Sequence, residues 1–306
     1  MIHKHTITLA GPAADGRGLS GHVLRDLFDV LVQGAEQSLR FRLEGRSTAR
    51  GVAPAWVRSA SDFEMTDLER SDGTRTMRLE ARPLIESMPE KFPQADLFDD
   101  FDPTRSPLEF FEDALEEAIE ERSDSEAFDQ ALLKTCSDFR MILGAGIDSI
   151  DIQNGRTVRV DSTSIDRVVR LARMSYAARK VRLAGRLEII GYSDCRFTLV
   201  LENGSKVPGT ARDLGVEALR EGFGKEVIVT GTAEFRPSGR ILRVDADLVE
   251  PATASELKLF SVVPRPLLAV AAPERPTEKA GLAALLGQWP GEEPLDQLLA
   301  QLKALA

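Results

Sequence analysis

The chain has 306 residues, of which 42% are apolar and 29% charged, with a formal net charge of −10. That is an ordinary globular balance for about two domains. No run of roughly 18 apolar residues is present to span a bilayer. The N-terminal MIHKHTITLAGPA lacks a secretory segment, and two cysteines, Cys136 and Cys195, exclude a disulfide framework and predict a reducing, cytoplasmic setting. The charge is uneven: Leu84 to Gln130 holds sixteen acids against Lys91, Arg105 and Arg122, or −13, leaving about +3 for the rest.

The fold class reads as α+β. Residues 1–178 form a first domain of hairpins and helices. A strand over His3–Leu9 leads through Gly11, Gly16 and Gly18 to Ser20, which can cap a long helix with the apolar face Leu19, Val23, Leu27, Phe28, Leu31, Ala35 and Leu39. Gly21 and Gly34 each weaken that helix by about 1 kcal/mol, so tertiary packing has to hold it. Asp62 to Ala81 reads as a hairpin turning at Ser71-Asp72-Gly73. After an acidic, proline-broken loop come helices over about Pro107–Glu121 and Ser125–Leu143, then a hairpin over Ile147–Val160 turning at Asn154-Gly155, then a helix over about Ser162–Met174.

Residues 179–252 give the sharpest architectural signal. Strands are expected over Val181–Ile190, Arg196–Leu201, near Val207, over Glu226–Phe235 and over Ile241–Val249, with a short helix around Leu214–Glu221. Five strands with a helix between the third and fourth resemble a five-stranded, OB-like small β-barrel. Residues 253–306 read as an extended linker carrying Pro264, Pro266, Pro273 and Pro276, followed by two short amphipathic helices. One carries Leu282, Leu285 and Leu286, the other Leu295, Leu298, Leu299, Leu302 and Leu305, with Trp289-Pro290-Gly291-Glu292-Glu293 between them.

Catalytic chemistry is not assembled anywhere in the sequence, so the chain is expected to be a binding protein without catalytic residues, cofactor or bound metal. His3 and His5 share a strand face and His22 lies nearby in sequence, but no cysteine or acid stands at ligand spacing. Neither cysteine has an adjacent histidine to activate it. Gly144-Ala145-Gly146 follows a helix and precedes a strand, the reverse of a dinucleotide fingerprint. The barrel offers Arg179, Lys180, Arg182, Arg186, Arg196, Arg236, Arg240 and Arg243 to nucleic acid, with Arg186, Arg196 and Arg243 as the candidate contacts and Tyr192, Phe197 and Phe235 as stacking platforms. Interleaved acids leave it near +1, so core aromatics and solvated arginines are the competing interpretation.

The segment Leu285-Leu286-Gly287-Gln288-Trp289-Pro290-Gly291-Glu292-Glu293-Pro294-Leu295-Asp296-Gln297-Leu298-Leu299 resembles the C-terminal docking tails of antitoxins that neutralise PIN-domain ribonuclease toxins. The chain as a whole is similar to a group of bacterial proteins associated with neighbouring PIN-like proteins. The resemblance implies a toxin–antitoxin partner that hydrolyses RNA with acidic residues and a divalent metal. This chain would then be its inhibitor, docking through Leu282, Leu285, Leu286, Trp289, Pro290, Gly291, Glu292, Glu293, Leu295, Leu298, Leu299 and Leu302. It does not extend to the body: such antitoxins are short and carry a DNA-binding dimerisation domain, so neither operator binding nor an oligomeric state is carried over. The competing expectations are a tail folded back on its own domains, and a nucleic-acid-binding protein acting through the barrel.

Overall fold

The computed structural model describes residues 2–16, 18–49, 53–90, 102–174, 176–191, 195–211, 214–264 and 266. All of these residues belong to one compact unit. The predicted tail helices and all twelve proposed docking residues lie outside the described residues.

The first body is built on β1 (His3–Ala10), whose alternation points His5, Ile7 and Leu9 inward. A helical turn, α1 (Pro12–Asp15), occupies the predicted glycine-rich turn. Then α2 (Gly21–Glu44) begins where Ser20 accepts a hydrogen bond from the His22 amide at 3.3 Å, and it stops at Gly45, whose φ of 72° ends the helix. A short helix, α3 (Ala55–Ala60), precedes the hairpin of β2 (Phe63–Ser71) and β3 (Thr74–Ala81), and α4 (Leu84–Ser87) follows it. The hairpin turns on Asp72 and Gly73, both at positive φ. A bulge lies between Met65 and Asp67, and of the apolar residues on β2 only Phe63 is partly buried, while Met65 and Leu68 are exposed.

Next come α5 (Pro107–Ile119), α6 (Gln130–Ser137) and α7 (Phe139–Gly144). The single helix expected over Ser125–Leu143 is therefore two shorter ones. Asp129, not Ser125, is the cap: its carboxylate accepts the Leu132 amide at 3.0 Å, and the chain tightens at Asp138, whose amide bonds back to Thr135. The hairpin of β4 (Ser149–Gln153) and β5 (Thr157–Asp161) turns through 154–156, and α8 (Ser162–Arg173) closes the body. The antiparallel sheet runs β2-β3-β1-β4-β5. Ile7, Leu9, Met77, Leu79, Ile150 and Ile152 meet Leu27, Leu31, Phe111, Leu115, Phe128, Leu132 and Phe139 from the helices in one core. A second cluster joins Leu39, Val57, Ala60, Leu84, Met88 and Phe110.

The barrel comprises β6 (Arg179–Gly191), β7 (Arg196–Val200), β8 (Lys206–Thr210), α9 (Gly215–Gly222), β9 (Glu226–Phe235) and β10 (Ile241–Pro251). Its strands close in the order β10-β8-β7-β6-β9, with β10 and β8 parallel and every other neighbouring pair antiparallel. Leu183, Leu187, Phe197, Leu199, Leu219, Val229 and Val244 fill it. At Gly231 a side chain would run into the carbonyl of Asp245, so glycine lets β9 and β10 cross closely beside the bulge at Ala246/Leu248. The stretch read as a linker from residue 253 opens instead with α10 (Ala254–Phe260), started by a Thr253–Glu256 capping box and laid on the barrel by Arg182, 4.6 Å over the Phe260 ring. Among the described residues no helix is long and apolar enough to cross a membrane.

Candidate functional site

The three arginines singled out in the barrel do not share a groove. Arg186 is exposed and donates along its own strand to Glu188 at 2.6 Å. Arg196 and Arg243 do converge, but on the first body. The Arg196 guanidinium donates to the Arg42 carbonyl at 3.0 Å, and that of Arg243 donates to the Gly45 carbonyl. Both therefore cap the C-terminal end of α2, where carbonyls without helical partners gather negative charge. The Arg243 side chain is only 7% exposed and is further held by Glu234 at 2.7 Å and Asp245 at 3.3 Å. Burial raises the Glu234 carboxyl above its ordinary value, against the pull of Arg243. Phe197 and Phe235 are buried in the barrel core, while Tyr192 lies outside the described residues.

A second tie is made by the β9–β10 turn. Arg236 donates to the Asp124 carbonyl and to the Glu126 carboxylate, both at 2.8 Å. The Ser238 amide donates to the Ser123 carbonyl at 3.0 Å and its hydroxyl to Asp124 at 2.8 Å, while Arg240 pairs with the same Asp124 carboxylate. None of the three apolar clusters of the described residues spans this seam. Polar ties to fixed carbonyls set the register between body and barrel. They add little of the area-driven attraction that a shared core would.

Beside the seam lies a groove of about 580 Å³. Lys206, Arg236, Arg240 and Glu126 are its charged lining, and Val207, Ile241, Val263, Pro264 and Pro266 form an apolar wall. Gly239 at the turn tip, with φ 84°, leaves room for Pro266 to lie against it. The sequence offers Arg236 and Arg240 among the barrel's cations, flanking the Pro237-Ser238-Gly239 turn, but no local pattern brings the groove together because it is assembled from four separate segments.

The histidines take structural places. His5 is buried and its Nδ1 lies 2.6 Å from Glu112; His3 on the same face meets Glu109 at 3.2 Å and the Thr104 carbonyl; His22 is exposed at the start of α2. No cluster of three or more metal-ligating side chains occurs among the described residues. Cys136 is fully buried on α6 and its thiol is pushed up by desolvation; Cys195 is half-buried at φ 53°. No family model, curated protein or solved structure matches the chain.

Proposed function

We propose that the chain is an antitoxin-like inhibitor that binds a PIN-domain ribonuclease through its C-terminal tail. The observation that carries this reading is in the sequence: a proline-spaced segment leads to the apolar stripe of Leu285, Leu286, Trp289, Leu295, Leu298, Leu299 and Leu302, in the pattern of such antitoxins' docking tails. Burying each such side chain gives roughly 1.5–3 kcal/mol gross. Several together give on the order of 10 kcal/mol, of which ordering the extended lead and the helices consumes half or more. A remainder of about 5 kcal/mol gives a dissociation constant of about 0.2 mM in an apolar groove. Sub-micromolar docking therefore needs the seven side chains at the upper end of that burial range, where half of about 20 kcal/mol survives. Calorimetric titration of the full chain against such a ribonuclease tests this. Trp289→Ala should weaken binding by about 2 kcal/mol or more, the scale of a buried aromatic anchor, and unchanged affinity would remove Trp289 as anchor and the stripe with it.

A second reading, nucleic-acid binding by the barrel, is favoured by one observation: the strand order, with its parallel closing pair and a helix between the third and fourth strands, is OB-like and ends beside a cation-rimmed groove.

A further inference from the structure

Resting on that second reading, we infer that the groove beside the β9–β10 turn takes one nucleotide unit of a single-stranded nucleic acid, and that Asp124 and Glu126 hold it closed in cis. A phosphodiester is recognised by converging cations, and Lys206, Arg236 and Arg240 line this one groove. A base needs an apolar surface to lie against, and Val263, Pro264 and Pro266 with Ile241 supply one. Arg186, Arg196 and Arg243 are not part of this lining.

The loop of the first body supplies to the turn what a phosphate would. Its Asp124 carboxylate sits on Arg240, with the Ser238 hydroxyl at 2.8 Å and Arg236 at 3.7 Å on its other oxygen, and its Glu126 carboxylate sits on Arg236. These two ties differ in strength. Arg236 is 12% exposed and also holds a backbone carbonyl, so it stays with the loop. Arg240 is 75% exposed, and an ion pair so open to water exchanges readily. Lys206 is exposed and has no ion-pair partner among the described residues. A strand therefore enters by placing its phosphate between Lys206 and Arg240, taking the place of the Asp124 carboxylate. Glu126, still in the groove lining, opposes it by charge.

Fluorescence anisotropy of a labelled oligo(dT) against the full chain at low salt tests this, with thermal unfolding to confirm each variant folds. Asp124→Asn with Glu126→Gln should tighten binding by about tenfold or more and steepen its salt dependence, as recovered cation–phosphate contacts do. Adding Lys206→Gln and Arg240→Gln should cancel the gain, whereas adding Arg186→Gln should not. Lys206→Glu in the otherwise unchanged chain, at an exposed side chain with no ion pair among the described residues, should weaken whatever binding exists. A gain that survives loss of Lys206 and Arg240 overturns the site. Measurable binding that the double variant fails to improve overturns the closure and spares the nucleic-acid reading. Absence of binding by every form at low salt overturns both.

Discussion

Gly34 shows how one residue can be locally unfavourable and structurally required. Its helix propensity is poor, yet a methyl there would sit 2.5 Å from three ring carbons of Phe111, where α2 and α5 touch. Gly34→Ala should therefore destabilise by about 1–3 kcal/mol, as overpacking does, despite a helix-propensity gain near 1 kcal/mol. Gly21→Ala, with open space around it, should be neutral or slightly stabilising. Urea unfolding of the two variants separates these outcomes. Asp113 gives a pH-dependent counterpart. Burial alone would raise its carboxyl, but hydrogen bonds and charge from Arg105 at 2.7 Å and from Arg156 outweigh that and hold it below its ordinary value. A depressed folded-state pKa stabilises above the unfolded value near 3.9 and loses that contribution as pH falls through the folded one. Glu234 has the opposite sign: its raised pKa makes ionisation costly at neutral pH, a cost relieved on acidification before Asp113 protonates. Stability should thus hold or rise slightly as pH falls toward about 4.3 and drop below about 3.9. Asp113→Asn should make that acid drop shallower and Glu234→Gln should remove the slight rise, both read from urea midpoints between pH 3 and 7.

At the scale of elements, the ties of the barrel to the end of α2 make a sharper prediction than any single strand. Removing one partner of a buried pair costs about 3–5 kcal/mol, and because Glu234 keeps a third of its exposure, about 2–3 kcal/mol is expected for Arg243→Ala. Unfolding followed by both far-UV circular dichroism and tryptophan fluorescence should show that loss; an unchanged midpoint would mean that Arg243 does not hold the seam. These ties were not legible in the sequence, for a physical reason. Arg196 reaches a carbonyl 154 positions away and Arg243 one 198 away, and a backbone acceptor leaves no mark in composition. The hairpins were legible because Asp72-Gly73 and Asn154-Gly155 write their turns locally, and the barrel strands because alternation and glycine punctuate them. Helix α3 was missed because its six residues bury Val57 and Ala60 in a cluster gathered from four separate segments. The break between α6 and α7 was missed because the apolar periodicity of Phe128, Leu132, Cys136, Phe139 and Ile142 runs straight through it, all five ending buried.

At the scale of the molecule, a first body with two apolar clusters meets the filled barrel across a polar seam, and the sequence beyond the described residues is leucine-rich with its own logic. The acidic stretch of residues 84–130, first legible as a solvated face, divides its charges. Asp113 and Glu112 are turned inward on arginine and histidine partners, while Asp124 and Glu126 meet the barrel. The arginines that made the barrel resemble a nucleic-acid surface are spent largely on this seam. That shifts the weight of the functional reading to the tail and leaves the groove at Lys206 and Arg240 for a strand. The most direct measurement is inhibition of RNA cleavage by a PIN-domain ribonuclease from the same genome, titrated with the full chain and with a chain ending at Ala269, alongside the thermal unfolding of each. The account predicts stoichiometric inhibition by the full chain, its loss on truncation and an unchanged unfolding midpoint; inhibition that survives truncation, or a truncated chain whose barrel or first body melts early, contradicts it.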